Sequence, residues 1–507
     1  MAAKDHPQSL TRAARAALLI ALAAPLAGTA GAQRVPFADL ASAPAAMARR
    51  RAAMDQLTNT LSTAIGRTGR SGTWGVLVVS LTNGDTLFGF NADRQLLPAS
   101  TMKLFTSALA LDQFGPTGRF ETQVLRSGAL RPDGTLDGDL VLRGAGDPTL
   151  GGRFADEAGT LPMVTLARSV AAAGVRRVSG ALVGDASGFD DGKVPDGWRR
   201  RYLHASYAAR VSALSFNENQ VIVLVRPDGR RASIAFRPAV SGVDVSNDVK
   251  VLAGSRGASI RVRQDSVAGR IMISGWIGAK SAERDYKLVV ENPELFAVGA
   301  LRAALQAEGV TVDGPIKIAT RRDALTPVAT LPSPTLDRII EQMNGESNNH
   351  YAELLFRNAA RASGAPGSAE SANSLLGRFL RDKVRAAPDA VFAADGSGLS
   401  TLDRVTPRSM VQLLSYAREA PWGQVLEQSL PVAGQTETLR RRMRRSAATG
   451  NLHAKTGTTN DVASLGGYVT ASNGEDLAFS VIYNGGNRWR ARDSIDRIGV
   501  ALASFSR

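Results

Sequence analysis

The stretch WGVLVVSLTNGDTLFGF, residues 74–90 of this 507-residue chain, has the pattern of a β-hairpin. Two runs of β-branched, aromatic and leucine residues flank the pair Asn83-Gly84, which favours a tight hairpin turn. Near the other end, residues 465–469 and 477–483 flank a second such pair, Asn473-Gly474. The sequence therefore predicts an antiparallel hairpin at each end of the chain.

Helical segments accompany both hairpins. Residues 42–61 are typical of a helix, and a last helix is predicted near residues 489–505. The hairpins from the two ends can pair to form a single sheet, with the two helices packed against it. Further helices are predicted over residues 100–114, 295–306, 336–344 and 351–361.

The middle of the chain has a different pattern. From residue 121 to residue 286, short apolar or alternating runs such as 221–225 and 259–262 are separated by Gly, Asp and Pro, which is typical of strands. We expect a β-rich insertion there. The predicted first part of the main domain is 33–120, and its second part is 287–507.

The first 32 residues are typical of a secretory signal. Basic residues Lys4, Arg12 and Arg15 precede the apolar run 16–26, which is too short to span a bilayer, and Ala30-Gly31-Ala32 suits a signal peptidase. We therefore expect cleavage near Ala32 and a periplasmic or secreted protein.

Composition excludes several kinds of chemistry. The chain has no cysteine, which excludes disulfides, thiol nucleophiles and zinc-thiolate sites. Its four histidines argue against a histidine metal cluster, and no cofactor is expected. The net charge of +15 suggests an anionic partner, and export favours wall polymer or membrane headgroups over nucleic acid. The basic run 439–445 suits such a partner, or equally a solvated surface.

The segment Ser100-Thr101-Met102-Lys103 is the first candidate for chemistry. On a helix, residues three apart share a face, so the Lys103 amine can reach the Ser100 hydroxyl. A buried lysine can become neutral and take the serine proton, which creates a nucleophile. Free N–H groups at the helix start could stabilise an oxyanion. An ordinary helix cap is the alternative role of Ser100.

A second candidate is Lys455-Thr456-Gly457-Thr458, on a predicted strand. The lysine and hydroxyl groups could hold a carboxylate, and Gly457 would leave room for a substrate along the strand. An ordinary strand lysine is the alternative.

A serine followed two residues later by an asparagine occurs at Ser215/Asn217, Ser347/Asn349 and Ser371/Asn373. The pair Ser347/Asn349 is preferred because it lies between two predicted helices. Its hydroxyl could relay a proton to a leaving amine, and its amide could hold a substrate amide.

In this order, Ser100-x-x-Lys103, Ser347-x-Asn349 and Lys455-Thr456-Gly457 resemble the three signature motifs of penicillin-binding proteins and serine β-lactamases. The long interval between the first two is similar to that of the class C penicillin-binding proteins, the D-alanyl-D-alanine carboxypeptidase/endopeptidase family. Other stretches that resemble this family are residues 97–101, 144–150, Gly184-Asp185 with Phe189 and Trp198, and residues 214–219, 395–400 and 430–434.

The resemblance implies an α+β fold: a split β-lactamase/transpeptidase-like domain, with helices on a five-stranded antiparallel sheet, interrupted by two nested β-rich domains. It implies that Ser100 attacks the penultimate D-Ala of a peptidoglycan stem peptide, with Lys103 as general base. Ser347 and Lys455 would pass the proton to the leaving D-Ala, and Asn349 would orient the acyl donor. The N–H groups of Ser100 and Thr458 would form the oxyanion hole, and β-lactams would inhibit.

Two departures from the family concern stem-peptide specificity. Thr401 stands where the family commonly has an arginine, with Arg404 as the nearest substitute, and residues 436–439 read Thr-Glu-Thr-Leu where the family has Asp-Gly-Thr-Leu. Asp147 could face a substrate amino group, although a turn aspartate before a proline is its more ordinary role.

Three other functions remain open on the sequence. A β-lactamase or esterase would use the same Ser100 and Lys103 but deacylate quickly. A wall-binding protein would carry the motifs without activity. A Ser-His-Asp hydrolase would need His350 or His453 beside the serine.

Overall fold

The computed structural model describes residues 39–68, 71–155, 161–265, 270–319 and 325–507. The predicted signal segment, residues 1–32, lies outside these ranges. Residues 51–507 form one unit, and the packing described below belongs to it. Within the described ranges, no helix is long and apolar enough to cross a membrane.

The helices follow one another as α1 (Asp39–Gly66), α2 (Lys103–Phe114), α3 (Pro162–Ala172), α4 (Pro293–Ala307), α5 (Leu336–Glu346), α6 (Asn349–Ala362), α7 (Ala369–Phe379), α8 (Pro407–Glu419), α9 (Gly423–Gln428) and α10 (Arg488–Ala503). Short 3-10 helices include Ala99–Met102, Arg200–Tyr202, Ser206–Ala208, Asn217–Asn219 and Glu437–Leu439.

The strands are β1 (Gly72–Ser80), β2 (Thr86–Phe90), β3 (Glu121–Arg126), β4 (Ala129–Leu130), β5 (Thr135–Asp137), β6 (Leu140–Arg143), β7 (Arg177–Val178), β8 (Leu182–Asp185), β9 (Gln220–Asp228), β10 (Arg231–Arg237), β11 (Val245–Leu252), β12 (Ala258–Gln264), β13 (Ile271–Gly278), β14 (Arg284–Val289), β15 (Thr311–Val312), β16 (Ile316–Ala319), β17 (Thr326–Pro332), β18 (Val391–Phe392), β19 (Arg404–Val405), β20 (His453–Thr458), β21 (Val462–Thr470) and β22 (Asp476–Gly485).

Both ends of the chain contribute to one five-stranded sheet. Its strand order is β2-β1-β22-β21-β20, and every neighbouring pair is antiparallel. Val76 of β1 pairs with Val481 of β22, so the two predicted hairpins meet in the middle of the sheet. Gly84 and Gly474 have φ values of 78° and 82°, which the tight turns require. The predicted α+β fold with a five-stranded antiparallel sheet is confirmed.

The sheet separates two sets of buried side chains. Val76, Phe479 and Val481 point to the side covered by α1 and α10, which we call the rear face. Leu77 and Ile482 point the other way, towards α2, α6 and α8, which we call the front face. This alternation follows from the two-residue period of a strand.

The inserted part contains several further sheets. Their strand orders are β16-β8-β6-β3-β17, β15-β7-β5-β4 and β12-β13-β11-β10-β9-β14. The strands of the last sheet lie between β8 and β15 in the chain, so this sheet is nested within the other two.

The insertion differs from the prediction in two respects. Its predicted end at residue 286 falls within β14, whereas the strand pairing continues to Pro332, because β17 returns to pair with β3. A helix, α3, also lies in the stretch that was predicted to be mostly strands. It buries Met163, Leu166 and Val170, a helical spacing that the strand signals around it obscured.

Candidate active site

Ser100 lies in the short 3-10 helix that leads into α2. The Lys103 amine donates a hydrogen bond to Ser100 Oγ over 3.1 Å, as the three-residue spacing predicted. Ser100 is half-buried, whereas the Lys103 side chain is fully buried. A partly exposed serine is thus paired with a fully buried lysine.

The Lys103 amine has two further acceptors from distant parts of the chain. They are Asn349 Oδ1, at 2.6 Å, and the backbone oxygen of Ser397, at 2.7 Å. Asn349 is the first residue of α6, and the side chain of Asn348 caps this helix by accepting from Tyr351 N. The first two sequence motifs therefore meet at one amine.

Lys455 forms the second centre of the site. Its amine donates to Ser347 Oγ over 2.9 Å and to the backbone oxygen of Thr456 over 3.0 Å, and the lysine is fully buried. Ser347 ends α5 in a left-handed conformation, with φ 61°. This geometry joins the second motif to the third.

Burial governs the protonation of both lysines. It lowers the pKa of Lys103 to about 8, against the opposing influence of three carboxyl groups, those of Asp395, Glu353 and Asp403. Burial also lowers the pKa of Lys455 well below its usual value, and the charge of Lys103 lowers it further. Lys103 can therefore lose a proton near neutral pH, and the charged form of Lys455 is disfavoured by its surroundings.

Gly457 allows β20 to approach Ser100. A Cβ atom at this residue would lie 2.2 Å from Ser464 Oγ, 2.7 Å from the Pro98 oxygen and 3.0 Å from Ser100 N. The absence of a Cβ atom thus lets the strand pass against the Pro98–Ser100 backbone. Room for a substrate along the strand stays a prediction.

The two threonines of the third motif differ in exposure. Thr456 is buried, and its Oγ1 donates to Thr438 Oγ1 over 3.0 Å, whereas Thr458 is exposed. Thr438 belongs to the segment 436–439 that departs from the family, and no local pattern predicts its contact with Thr456.

Asp147 has the ordinary turn role. Its carboxylate accepts from Thr149 N over 2.8 Å and from Thr149 Oγ1 over 2.7 Å. Burial raises its pKa to about 6. It lines a cavity of about 340 Å³ together with Arg119 and Phe154, and its hydrogen bonds in the described ranges do not reach the two lysines. A role in substrate binding remains only a prediction.

The other serine–asparagine pairs have local roles. Ser215 Oγ donates to the Ser212 oxygen over 2.7 Å, and Asn373 Oδ1 accepts from Ala393 N over 2.9 Å.

The histidines give no support to a Ser-His-Asp site. Burial lowers the pKa of His350 to about 4. In the part of the chain that the structure describes, neither of its ring nitrogens has a hydrogen-bond partner, and His453 Nδ1 has none either.

Asp395 is a site residue to which the sequence analysis gave no role. Its buried carboxylate accepts from the backbone N–H groups of Ser397, Gly398 and Ser400, over 2.9, 2.6 and 2.7 Å. These bonds fold residues 395–400 into the tight loop that offers the Ser397 oxygen to Lys103. An aspartate followed by Gly-Ser-Gly is a turn signal, but only the fold places that turn behind the lysine.

The residues at the predicted specificity positions contact the backbone. Thr401 Oγ1 donates to the Gly197 oxygen over 3.0 Å. Arg404 donates to the oxygens of Thr401 and Asp403, over 3.0 and 2.7 Å. The Arg404 guanidinium is thus anchored by its own loop.

Residues 57–504 match the D-Ala-D-Ala carboxypeptidase 3 (S13) family. The chain belongs to this family. It is 34% identical, over 458 residues, to a D-alanyl-D-alanine carboxypeptidase of Actinomadura sp. (strain R39), a match that covers 85% of this chain and 81% of that protein. It is 24% identical, over 418 residues, to D-alanyl-D-alanine carboxypeptidase DacB of Haemophilus influenzae, covering 81% and 85%.

Membership makes the chain a hydrolase of the carboxypeptidase type, and it confirms the family identified from the three motifs. The fold has a counterpart in the crystal structure of penicillin binding protein 4 (dacB) from Haemophilus influenzae. The TM-score is 0.74 at 23% identity, and the match covers 87% of this chain and 98% of that one.

Proposed function

We propose that the protein is a serine D-Ala-D-Ala carboxypeptidase that removes the terminal D-Ala from peptidoglycan stem peptides through an acyl-enzyme on Ser100. The observation that carries this proposal is the 3.1 Å contact between the buried Lys103 amine and Ser100 Oγ. Family membership and the names of the relatives support the substrate class.

Acylation begins with neutral Lys103. Ser100 Oγ attacks the carbonyl carbon of the penultimate D-Ala, and its proton passes to the Lys103 amine. A pKa of about 8 leaves part of the Lys103 population neutral at pH 7. The N–H groups of Ser100 and Thr458 would stabilise the oxyanion that forms, and the close passage of β20 along Ser100 N supports this assignment.

The leaving group needs a proton as its C–N bond breaks. Ser347 would donate it to the D-Ala amine and regain one from Lys455, whose amine lies 2.9 Å from Ser347 Oγ. Once D-Ala has left, the proton on Lys103 would pass to the deprotonated Lys455, which restores both amines to their starting states. Water then attacks the ester carbonyl, Lys103 accepts the water proton, and this proton goes to Ser100 Oγ as the ester C–O bond breaks. Asn349 would orient the acyl donor from its position beside Lys103.

A β-lactam that mimics the stem peptide would acylate the same hydroxyl. Intact mass of the protein after incubation with benzylpenicillin should show one stable adduct, and Ser100→Ala should show none. Rapid consumption of the drug without an adduct would indicate a β-lactamase, and an untouched drug would contradict the proposed chemistry.

The same attack on a cross-link between two stem peptides would give DD-endopeptidase activity. Release of D-Ala from a pentapeptide and cleavage of a cross-linked muropeptide dimer, assayed side by side, measure the two activities. Both should disappear in Ser100→Ala.

The surface charge supports an anionic partner for the exported enzyme. Arg440, Arg441, Arg444 and Arg445 are exposed, and salt weakens such contacts. The protein should sediment with purified cell-wall sacculi at low ionic strength and be released at high ionic strength; equal binding under both conditions would exclude an electrostatic attachment.

A further inference from the structure

A segment of the insertion lies against the loop behind Lys103. Trp198 is buried and packs with Ala208 of its own segment and with Leu399 of the loop. Gly197, with φ 80°, comes so close that a Cβ atom there would lie 2.3 Å from Ser400 Oγ. Thr401 N also donates a hydrogen bond to the Gly197 oxygen over 3.2 Å, so the insertion is bonded through its backbone to the residue that follows the loop.

The contact includes a buried charge. The indole N–H of Trp198 donates to Asp395 Oδ2 over 2.7 Å. The same oxygen accepts from Ser400 N, and Oδ1 accepts from Ser397 N and Gly398 N. Asp395 is fully buried, so each donor offsets part of the cost of removing the carboxylate from water.

The hydrogen bonds continue to the nucleophile. Ser397 N donates to Asp395, the Ser397 oxygen accepts from Lys103, and Lys103 donates to Ser100 Oγ. The loop also touches the turn that carries the nucleophile, because a Cβ atom at Gly398 would lie 1.8 Å from the Ala99 oxygen. A shift of the loop would thus move both reacting groups.

We infer that Trp198 is a positioning residue of the reaction: through Asp395, the insertion holds the Ser397 oxygen and with it the Lys103 amine in place beside Ser100. The inference rests on the proposed function, in which Lys103 is the base. Small displacements of a catalytic group can reduce a rate by up to about 100-fold. Loss of this one donor should reduce acylation by about tenfold.

The test separates binding from acylation. Trp198→Phe removes the indole N–H and keeps an aromatic ring. Stopped-flow acylation by a fluorescent penicillin should give a rate constant about tenfold lower than in the wild-type protein, with the dissociation constant of the initial complex changed less than twofold. Trp422→Phe is the matched control, because Trp422 and Trp198 are 6% and 7% exposed and Trp422 packs on Tyr416 instead. A wild-type rate constant in folded Trp198→Phe, or an equal loss in the control, would overturn the inference.

A double-mutant cycle tests the route through Asp395. Asp395→Asn should reduce the acylation rate constant more than Trp198→Phe does, and the double variant should be no slower than Asp395→Asn alone, within about twofold. Reductions that multiply would show that Trp198 does not act through Asp395. If Trp198→Phe does not fold, Asp395→Asn decides alone, and an unchanged acylation rate constant in it overturns the inference.

The wild-type protein separates this inference from the proposed function. If penicillin forms no adduct on the wild-type protein, both fail. If it does and folded Trp198→Phe reacts equally fast, only the positioning role fails.

Discussion

The two faces of the five-stranded sheet bury different kinds of side chain. The rear face packs Val76, Phe479 and Val481 against α1 and α10. The front face has an apolar core of similar kind, but at one end it also buries Lys103 and Lys455. Burial of apolar side chains on the rear face stabilises the fold, whereas burial of the two amines on the front face lowers the free energy of unfolding.

The size of this cost follows from protonation. Burial lowers the pKa of Lys103 from 10.5 to about 8, which destabilises the fold by about 3 kcal/mol at neutral pH. Because the charged form is the disfavoured one, this cost is present below pH 8 and disappears as the pH rises above 10.5. The front face thus buries amines at a cost in stability, and the rear face buries the apolar side chains of its core without that cost.

Removal of Lys103, the proposed base, should have the largest effect on activity. Lys103→Met keeps an apolar stem of similar length and removes the amine, so acylation by a fluorescent penicillin should fall by about 10³-fold or more. Lys383→Met is the control, since the Lys383 side chain is 51% exposed and pairs with Asp112. Acylation of Lys103→Met within tenfold of the wild-type rate would exclude Lys103 as the base.

Interference with the approach of β20 to Ser100 should have the second largest effect on acylation. Gly457→Ala places a methyl group against Ser464 Oγ, the Pro98 oxygen and Ser100 N, so the strand must move away from the nucleophile. Acylation should fall by about 100-fold. Gly89→Ala on β2 of the same sheet is the control, because its nearest contact would be Leu77 Cδ1 at 3.8 Å. Equal rates in the two variants would contradict this function of Gly457.

The rate of acylation should change by about tenfold with pH. Neutral Lys103 increases as the pH rises through about 8, so acylation at pH 7 should be about tenfold slower than at the alkaline plateau. The charged or titratable groups that influence Lys103 are Asp395, Glu353, Asp403 and Lys455. A rate that is constant between about pH 6.5 and 9 would show that deprotonation of Lys103 does not limit acylation.

A substitution in the core of the rear face should have the smallest effect on acylation. Leu477→Ala opens a cavity in this fully buried core and should lower the free energy of unfolding by about 2–5 kcal/mol, as measured by urea denaturation. Acylation by the remaining folded protein should be unchanged. A large loss of acylation at full folding would show that the two faces are not independent.

The sequence predicted the features of the fold that depend on local patterns. Alternation around Val76 and Val481 and the turns at Asn83-Gly84 and Asn473-Gly474 gave the sheet, because strand period and turn chemistry are local properties. The contact of Lys103 with Ser100 was predictable for the same reason.

Long-range contacts were beyond such patterns. The hydrogen bond that Lys103 donates to the Ser397 oxygen and the close approach of β20 at Gly457 depend on segments that only the fold brings together. The local pattern predicts an end of the insertion at residue 286, whereas strand pairing continues to Pro332, because β17 is recognisable only by its pairing with the distant β3.

The pairing of β1 with β22 also determines when the site can form. Hairpins of the insertion, such as β9 with β10, pair residues that are close in the sequence. In contrast, Val76 pairs with Val481, which is far away in the sequence. Contacts so distant in sequence form slowly, because the ordering of a long loop opposes them. During synthesis, a growing chain contains Ser100 and Lys103 long before it contains β20 to β22, so the nucleophile remains without Lys455 until almost the whole polypeptide has emerged.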